Sequence, residues 1–391
     1  MLITRRTVLS AAGAALLPGY ARGAAQNSRV AVAQCPDYGA SLVPAMSRIF
    51  DQIGGLGKLV SGKTVTIKVN LTGSPTYRLG HAPLETTHYT HPAVIGAAVH
   101  LMGKAGARRI RIVESPWSTA DPIQEVILQA NWEPNDMLRA APVVEFVNTN
   151  WGGPKKQYVR FPTPQGGHIF PGFDLHTAYS DCDVFVSIAK MKDHATAGVT
   201  LAMKNCFGIT PCTIYGTGAG KDEPSLTPAG GREMFHNGLR HPSKSAPQER
   251  DHTVPKEGGA RVPRIVADIV AARPIHLSIV EGIDTMAGGE GPWNGPGLRI
   301  VHPKLLVAGL NPVATDAVCM RLMNYDPMAR RGAAPFETSD NTLELAEALG
   351  VGSRDPNRIE LAGAPVEQAR FDFAALREER KQLPRRRRSR A

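Results

Sequence analysis

The residues Val184-Phe185-Val186-Ser187-Ile188-Ala189, running straight into Lys190-Met191-Lys192-Asp193-His194, decide the fold class. A run that is apolar at every position but one has no face to show to water, so it reads as a strand buried on both sides. Such strands lie inside parallel sheets that helices cover on both faces. In open parallel sheets, ligands bind outside the carboxyl ends of the strands. The lysines and the histidine after this strand therefore mark where chemistry would collect.

Outward from that stretch, apolar runs bounded by turn residues recur at 64–69, 109–113, 143–147, 277–280 and 305–308, and these read as further strands. Helical patterns lie between several of them. Residues 92–104 begin with Pro92 at a first helical position and stop near Gly106. Residues 122–131 follow Asp121, a good N-cap, and 262–272 and 312–323 are two more, the last preceded by Asn311. The alternation predicts an α/β domain over residues 26–372, with a mainly parallel sheet and helices on both faces. Residues 213–263 break the rhythm: they are rich in Gly, Pro, Ser, Lys and His and show no periodicity. They read as a long insertion over the sheet, in the position of a lid.

The two ends of the chain read differently from its body. Thr4-Arg5-Arg6-Thr7-Val8-Leu9-Ser10 follows the pattern S/T-R-R-x-F-L-K, with Val8 for Phe and Ser10 for Lys. A short apolar stretch, Pro18, and the small residues Ala21, Gly23 and Ala25 come next. This order describes a twin-arginine signal peptide over residues 1–25 that is later removed. It implies the twin-arginine translocase and signal peptidase as partners, and a periplasmic or secreted location. The formal net charge is +10, but Arg5, Arg6 and Arg22 leave with the signal, and Arg385, Arg386, Arg387, Arg388 and Arg390 sit in a basic tail. The body keeps about +2, so no nucleic-acid partner is expected. The tail, 373–391, reads as a solvated basic end that could meet an anionic envelope surface. Five cysteines occur, without C-x-x-C and without a ferredoxin-type run. Their spacing selects no disulfide, and an iron–sulfur cluster is not expected.

Several strands deliver polar groups to one edge. The first runs into Lys68-Val69-Asn70, the second ends in Glu114-Ser115, and the fourth in Lys190 to His194. The fifth ends in Glu281-Gly282-Ile283-Asp284, ahead of Gly288-Gly289-Glu290-Gly291-Pro292. The sixth leads to Asn311 and to Asp316 inside the next helix. Lys190, Lys192 and Lys204 suit a phosphate or carboxylate. If 195–207 is helical, its first amides would add to that attraction. Lys68, Asn70 and Asn205 complete the expected substrate set. His194 is the candidate for proton transfer, or a metal ligand with Glu281 or Asp316. His88 and His91, spaced i, i+3, could share a divalent metal. No G-x-S-x-G, H-E-x-x-H or P-loop occurs, which argues against serine hydrolase, zincin and P-loop chemistry.

The landmarks together resemble the domain of unknown function 362 family. They are Lys68-Val69-Asn70, Thr90-His91-Pro92, Ala105-Gly106-Ala107 and Lys190-Met191-Lys192-Asp193-His194. Lys204-Asn205-Cys206-Phe207-Gly208, Val280-Glu281-Gly282-Ile283, Gly289-Glu290-Gly291-Pro292 and Asn311-Pro312-Val313-Ala314-Thr315-Asp316 follow in the same order. Val69 and Ala189 stand where the pattern has proline, and Glu281 and Asn311 where it has Asp. The resemblance implies an α/β fold and supplies no reaction. Three functional readings follow: an exported enzyme acting on a small anionic substrate, a binding protein for an anionic ligand, and an envelope interaction protein.

Overall fold

The computed structural model describes residues 28–150 and 158–383; the expected signal peptide and the terminal arginine run lie outside the described residues. Eight strands form the main sheet: β1 (Ser28–Gln34), β2 (Thr64–Lys68), β3 (Arg109–Glu114), β4 (Val144–Asn148), β5 (Val184–Lys190), β6 (Leu277–Gly282), β7 (Leu305–Gly309) and β8 (Ile359–Gly363). Their order across the sheet is β8-β1-β7-β6-β5-β2-β3-β4. All six expected strands are present. β1 and β8 were not expected, and they pair in parallel with each other at one end of the sheet. β7 runs antiparallel to both β1 and β6, so the sheet is mostly but not wholly parallel. The carboxyl end of β7 therefore lies opposite those of its neighbours.

Helices cover both faces, and β5 feeds both cores. Val184, Val186 and Ile188 join one apolar cluster, and Phe185 and Ala189 join the other. This period of two decides where the polar residues at the strand end must point. Chain order also fixes the site. From β2 the chain steps outward through β3 to β4, then returns to lay β5 on the other side of β2 and continues to β6. The connections leaving β2 and β5 thus diverge, and a crevice opens between their carboxyl ends.

Pro92–Lys104 is the expected helix, capped by His91, whose Nδ1 accepts from Ala93 N at 3.1 Å. The expected Asp121 cap is replaced by Pro122, with the helix at Ile123–Gln129. The conditional helix over 195–207 is not formed. A hairpin, Lys192–His194 with Gly198–Thr200, comes first, then a short helix at Ala202–Asn205. The insertion folds back with short helices at Cys212–Tyr215 and Glu233–Asn237 before Gly258–Ala272. The tail begins later than expected, because Phe373–Lys381 is helical. From it Arg377 reaches Glu337 at 2.7 Å and Asp193 at 3.6 Å, and Arg380 donates to the carbonyls of Gly288 and Asn294. All five cysteines are free. No helix of the described residues is long and apolar enough to cross a membrane.

Candidate functional site

A cavity of about 290 Å³ opens at the crevice between β2 and β5. Lys68, Asn70, Glu114 and Ser115 come from the ends of β2 and β3. His194 and Thr200 come from the hairpin, and Lys204 and Phe207 from the short helix and the turn after it. Glu290 and Trp293 come from the glycine run, and Arg232 and His236 from the insertion.

Lys68 lies on the floor, paired with Glu114 at 2.6 Å. The Glu114 carboxylate also accepts from the amides of Leu71 and Ser115. A Cβ on Gly208 would lie 2.9 Å from Lys68 Nζ, so glycine there leaves room for the lysine and its partner. Asn205 is occupied in bridging the two strands: its amide donates to Lys68 O, Ile188 O and Ser187 Oγ. Above the floor the balance of charge changes. Lys204 lies over the Phe207 ring, 4.1 Å from its centroid. Arg232 donates to Thr210 O, Thr210 Oγ1, Ser115 O and Gly208 O, none of them a carboxylate. Asn70 Oδ1 and Thr200 Oγ1 are buried without a hydrogen-bond partner. Two cations with no carboxylate in hydrogen-bond contact, and the free hydroxyl of Thr200, suit a small anionic ligand, while Asn70 Oδ1 could accept only from a hydroxyl on it.

The two histidines carry opposite tautomers. His194 Nδ1 accepts from Thr196 N at 3.1 Å, so its neutral ring carries the proton on Nε2. His236 Nδ1 can only donate to the carbonyl of Arg232, at 3.1 Å, so its Nε2 is left with a lone pair. Burial pushes His194 well below, and His236 below, the ordinary imidazole value, so both are neutral at pH 7. One ring is thus a donor and the other a base. Glu290 accepts from Ala195 N, Trp293 Nε1 and Asn294 Nδ2, which keeps it ionised and fixes the loop.

Of the expected site residues, Lys68, Asn70, His194, Lys204 and Asn205 meet in this cavity, and six others do not. Lys190 and Glu281 are both fully buried and pair with each other at 2.5 Å. Lys190 shares the face of Val186 and Ile188, whereas Lys68 shares that of Phe185, so the expected common pocket is divided by the sheet. Glu281 also accepts from His91 N at 2.9 Å. Lys192 is buried and donates to His88 O at 2.7 Å. Asp316 accepts from Ala202 N and Met203 N. The helix that does form starts later than the expected one, and its first amides are already satisfied by a carboxyl group of the chain, which burial pushes up to about 7. His88 Nδ1 faces Thr87 Oγ1, while His91 Nδ1 is the helix cap and its ring stacks on Tyr38. The pair does not converge as metal ligands. Among the described residues no group of three His, Cys, Asp or Glu could hold a metal. Arg232 and His236 were missed, because they lie in an aperiodic insertion whose histidine content was its one clue.

Burial lowers the Lys204 ammonium to about 7, opposed by Glu290 and helped by Arg232 and Lys68. Its charged form is present below that value and lost above it. Acetate affinity, measured by calorimetry, should be nearly level around pH 6, where acetate is still ionised, and fall by up to about tenfold per unit above pH 7, with proton uptake on binding at pH 8. Lys204→Met should remove the dependence. A Lys204→Met affinity equal to the wild type at pH 6 would show that Lys204 does not hold the anion.

A thylakoid-associated protein of Synechocystis sp. is 28% identical over 173 residues, which cover 44% of this chain and 47% of that protein. The chain thus spans about half the length of that curated relative. Among solved structures, the lactate racemase apoprotein of Thermoanaerobacterium thermosaccharolyticum is similar with a TM-score of 0.41 and 12% identity, over 77% of this chain and 58% of that one. A Thermotoga maritima protein is similar with a TM-score of 0.36 and 14% identity, over 79% and 58%. The model of the domain of unknown function (DUF362) matches residues 65–321. That span contains β3 to β7, β2 apart from Thr64, and every lining residue of the cavity, and by it the chain belongs to the domain of unknown function 362 family.

Proposed function

We propose that this protein is an exported enzyme that binds a small carboxylate and moves a proton at the carbon next to its carbonyl. The observation that carries this is the pair of histidines of opposite tautomer in one cavity with Lys204 and Arg232. The two cations hold the anionic end. His194 Nε2–H donates to an oxygen on which charge develops, and His236 Nε2 takes the proton. Lys68, Glu114 and Asn205 fix the floor. A binding protein would need the cations and not the lone pair on His236. Nuclear magnetic resonance in D₂O separates the two readings. The wild-type protein should exchange the C–H of small 2-oxo acids, and binding without exchange would leave the binding-protein reading.

The export half of the proposal rests on the sequence alone, the Thr4–Ser10 pattern with the apolar stretch and small residues after it. Replacing Arg5 and Arg6 together by lysine should hold the precursor in the cytoplasm, because the translocase reads the arginine pair. Cell fractionation that finds undiminished periplasmic protein would remove it.

A further inference from the structure

Two tryptophans that line the cavity, Trp117 and Trp293, keep much of their surface in water, and Tyr77, equally open, packs against both. Tyr77 is 44% exposed, and Trp117 and Trp293 are each 43% exposed. Tryptophan is highly buried on average, so two half-open indoles beside one cavity call for a reason. They are not loose. A Cβ on Gly73 would lie 2.6 Å from the Trp293 ring, and one on Gly291 closer still. A Cβ on Gly231 would lie 2.9 Å from Trp117 Nε1. Gly73 has φ +77, a conformation that glycine adopts freely. Three glycines therefore seat the two indoles against backbone, and Trp293 is fixed further by its bond to Glu290 at 2.9 Å. Tyr77 lies between them, its centroid 6.0 Å from that of Trp117 and 6.1 Å from that of Trp293, with planes inclined at 48° and 66°. Tilted in this way and nearly half exposed, the three rings leave surface on which a further ring can pack. Phe207 continues the aromatic wall inward to Lys204.

We infer that the substrate carries an aromatic ring, held at the mouth by Tyr77, Trp117 and Trp293, with its anionic group inward toward Lys204 and Arg232. This rests on the anion-binding reading above and names the substrate class of the same site. The volume agrees: about 290 Å³ lies just below the ~300–1,000 Å³ typical of small-molecule sites. One ring with one short anionic arm is the scale it takes.

Calorimetry with four probes tests this on the purified protein: acetate, benzoate, cyclohexanecarboxylate and benzyl alcohol. Benzoate should bind about tenfold more tightly than acetate, the scale of one or two aromatic contacts. Cyclohexanecarboxylate should fall between them. Trp117→Ala should weaken benzoate about five- to tenfold and leave acetate within about twofold. Trp293→Phe retains a ring and should keep the preference, so a folding defect in one variant cannot imitate the result; melting curves of both provide the control. Equal affinity for benzoate and acetate, or for benzoate and cyclohexanecarboxylate, would overturn the aromatic inference while leaving the anion site standing. Benzyl alcohol binding that Trp117→Ala removes, with no response to acetate or benzoate, would support the ring site and sink the anion reading. No binding of any probe at tens of millimolar would overturn both.

Discussion

Lys190→Ala is expected to lower the unfolding free energy by about 3–5 kcal/mol, the cost of leaving one member of a buried ion pair alone. Lys190 and Glu281 are fully buried, 2.5 Å apart on neighbouring parallel strands, with Glu281 also accepting from His91 N. Burial pushes the Glu281 carboxyl up and the Lys190 ammonium down, and the attraction between them opposes both shifts. Without Lys190, Glu281 would have to ionise alone or take a proton that its bond from His91 N disfavours. Urea unfolding measures the loss. The double replacement Lys190→Met with Glu281→Gln should recover most of it, because a neutral pair leaves no buried charge. The oxygen of the introduced amide could still accept from His91 N. Acetate affinity of Lys190→Ala, measured where the variant is folded, should match the wild type. A loss of stability under about 1 kcal/mol together with lost anion binding would return Lys190 to the ligand site.

The fold was legible because its main signals are local. The buried run at 184–189, the Pro92 start and the Asn311 cap each fix an element without help from the rest of the chain. β1 and β8 were harder. Ile359–Gly363 is a half-exposed edge strand without the fully apolar run that marks a central strand, whereas Val30–Ala33 is such a run, buried but only four residues long, next to a stretch read as a signal peptide. The direction of β7 is not a local property, because its own residues are the same whichever way it pairs.

The site was legible in part for a related reason. Strand ends do gather at one edge, which brought Lys68, Asn70, His194, Lys204 and Asn205 together. That rule does not say which side of the sheet a residue takes. Alternation does, and it was available: Lys190 follows Ile188 by two positions and must share its face. Lys192 escapes this count because the chain leaves the sheet after Lys190 and turns into a hairpin. Asp316 shows a different limit. A buried carboxylate in a family motif suggests chemistry, yet its two oxygens are taken by the amides of Ala202 and Met203. Its work is to start the helix that carries Lys204, so it positions the site without touching a ligand. His236 could be found by no spacing rule, since a long connection between Tyr215 and Gly258 folds it back over the cavity.

His236→Gln should slow C–H exchange by about 100- to 10,000-fold, the usual contribution of a positioned general base, while acetate affinity stays near wild type. The bond from His236 Nδ1 to Arg232 O directs the lone pair to Nε2, and glutamine offers no comparable base. His194→Gln should cost less, because the glutamine amide can still donate where Nε2–H did. The pH profile provides a readout that a purely structural role would not move. Burial holds His236 below its ordinary value, so the base stays unprotonated and exchange persists as pH falls through 6.5. On the alkaline side exchange should decline above about 7 as Lys204 loses its charge, and Lys204→Met should flatten that limb while lowering the rate throughout. Proton resonance of the exchanging carbon, followed in D₂O from pH 5 to 9, gives both limbs. Equal losses in His236→Gln and His194→Gln would mean that the tautomers do not assign the roles. A wild-type rate in His236→Gln would place the base elsewhere, with Glu290 the next group in the cavity to test.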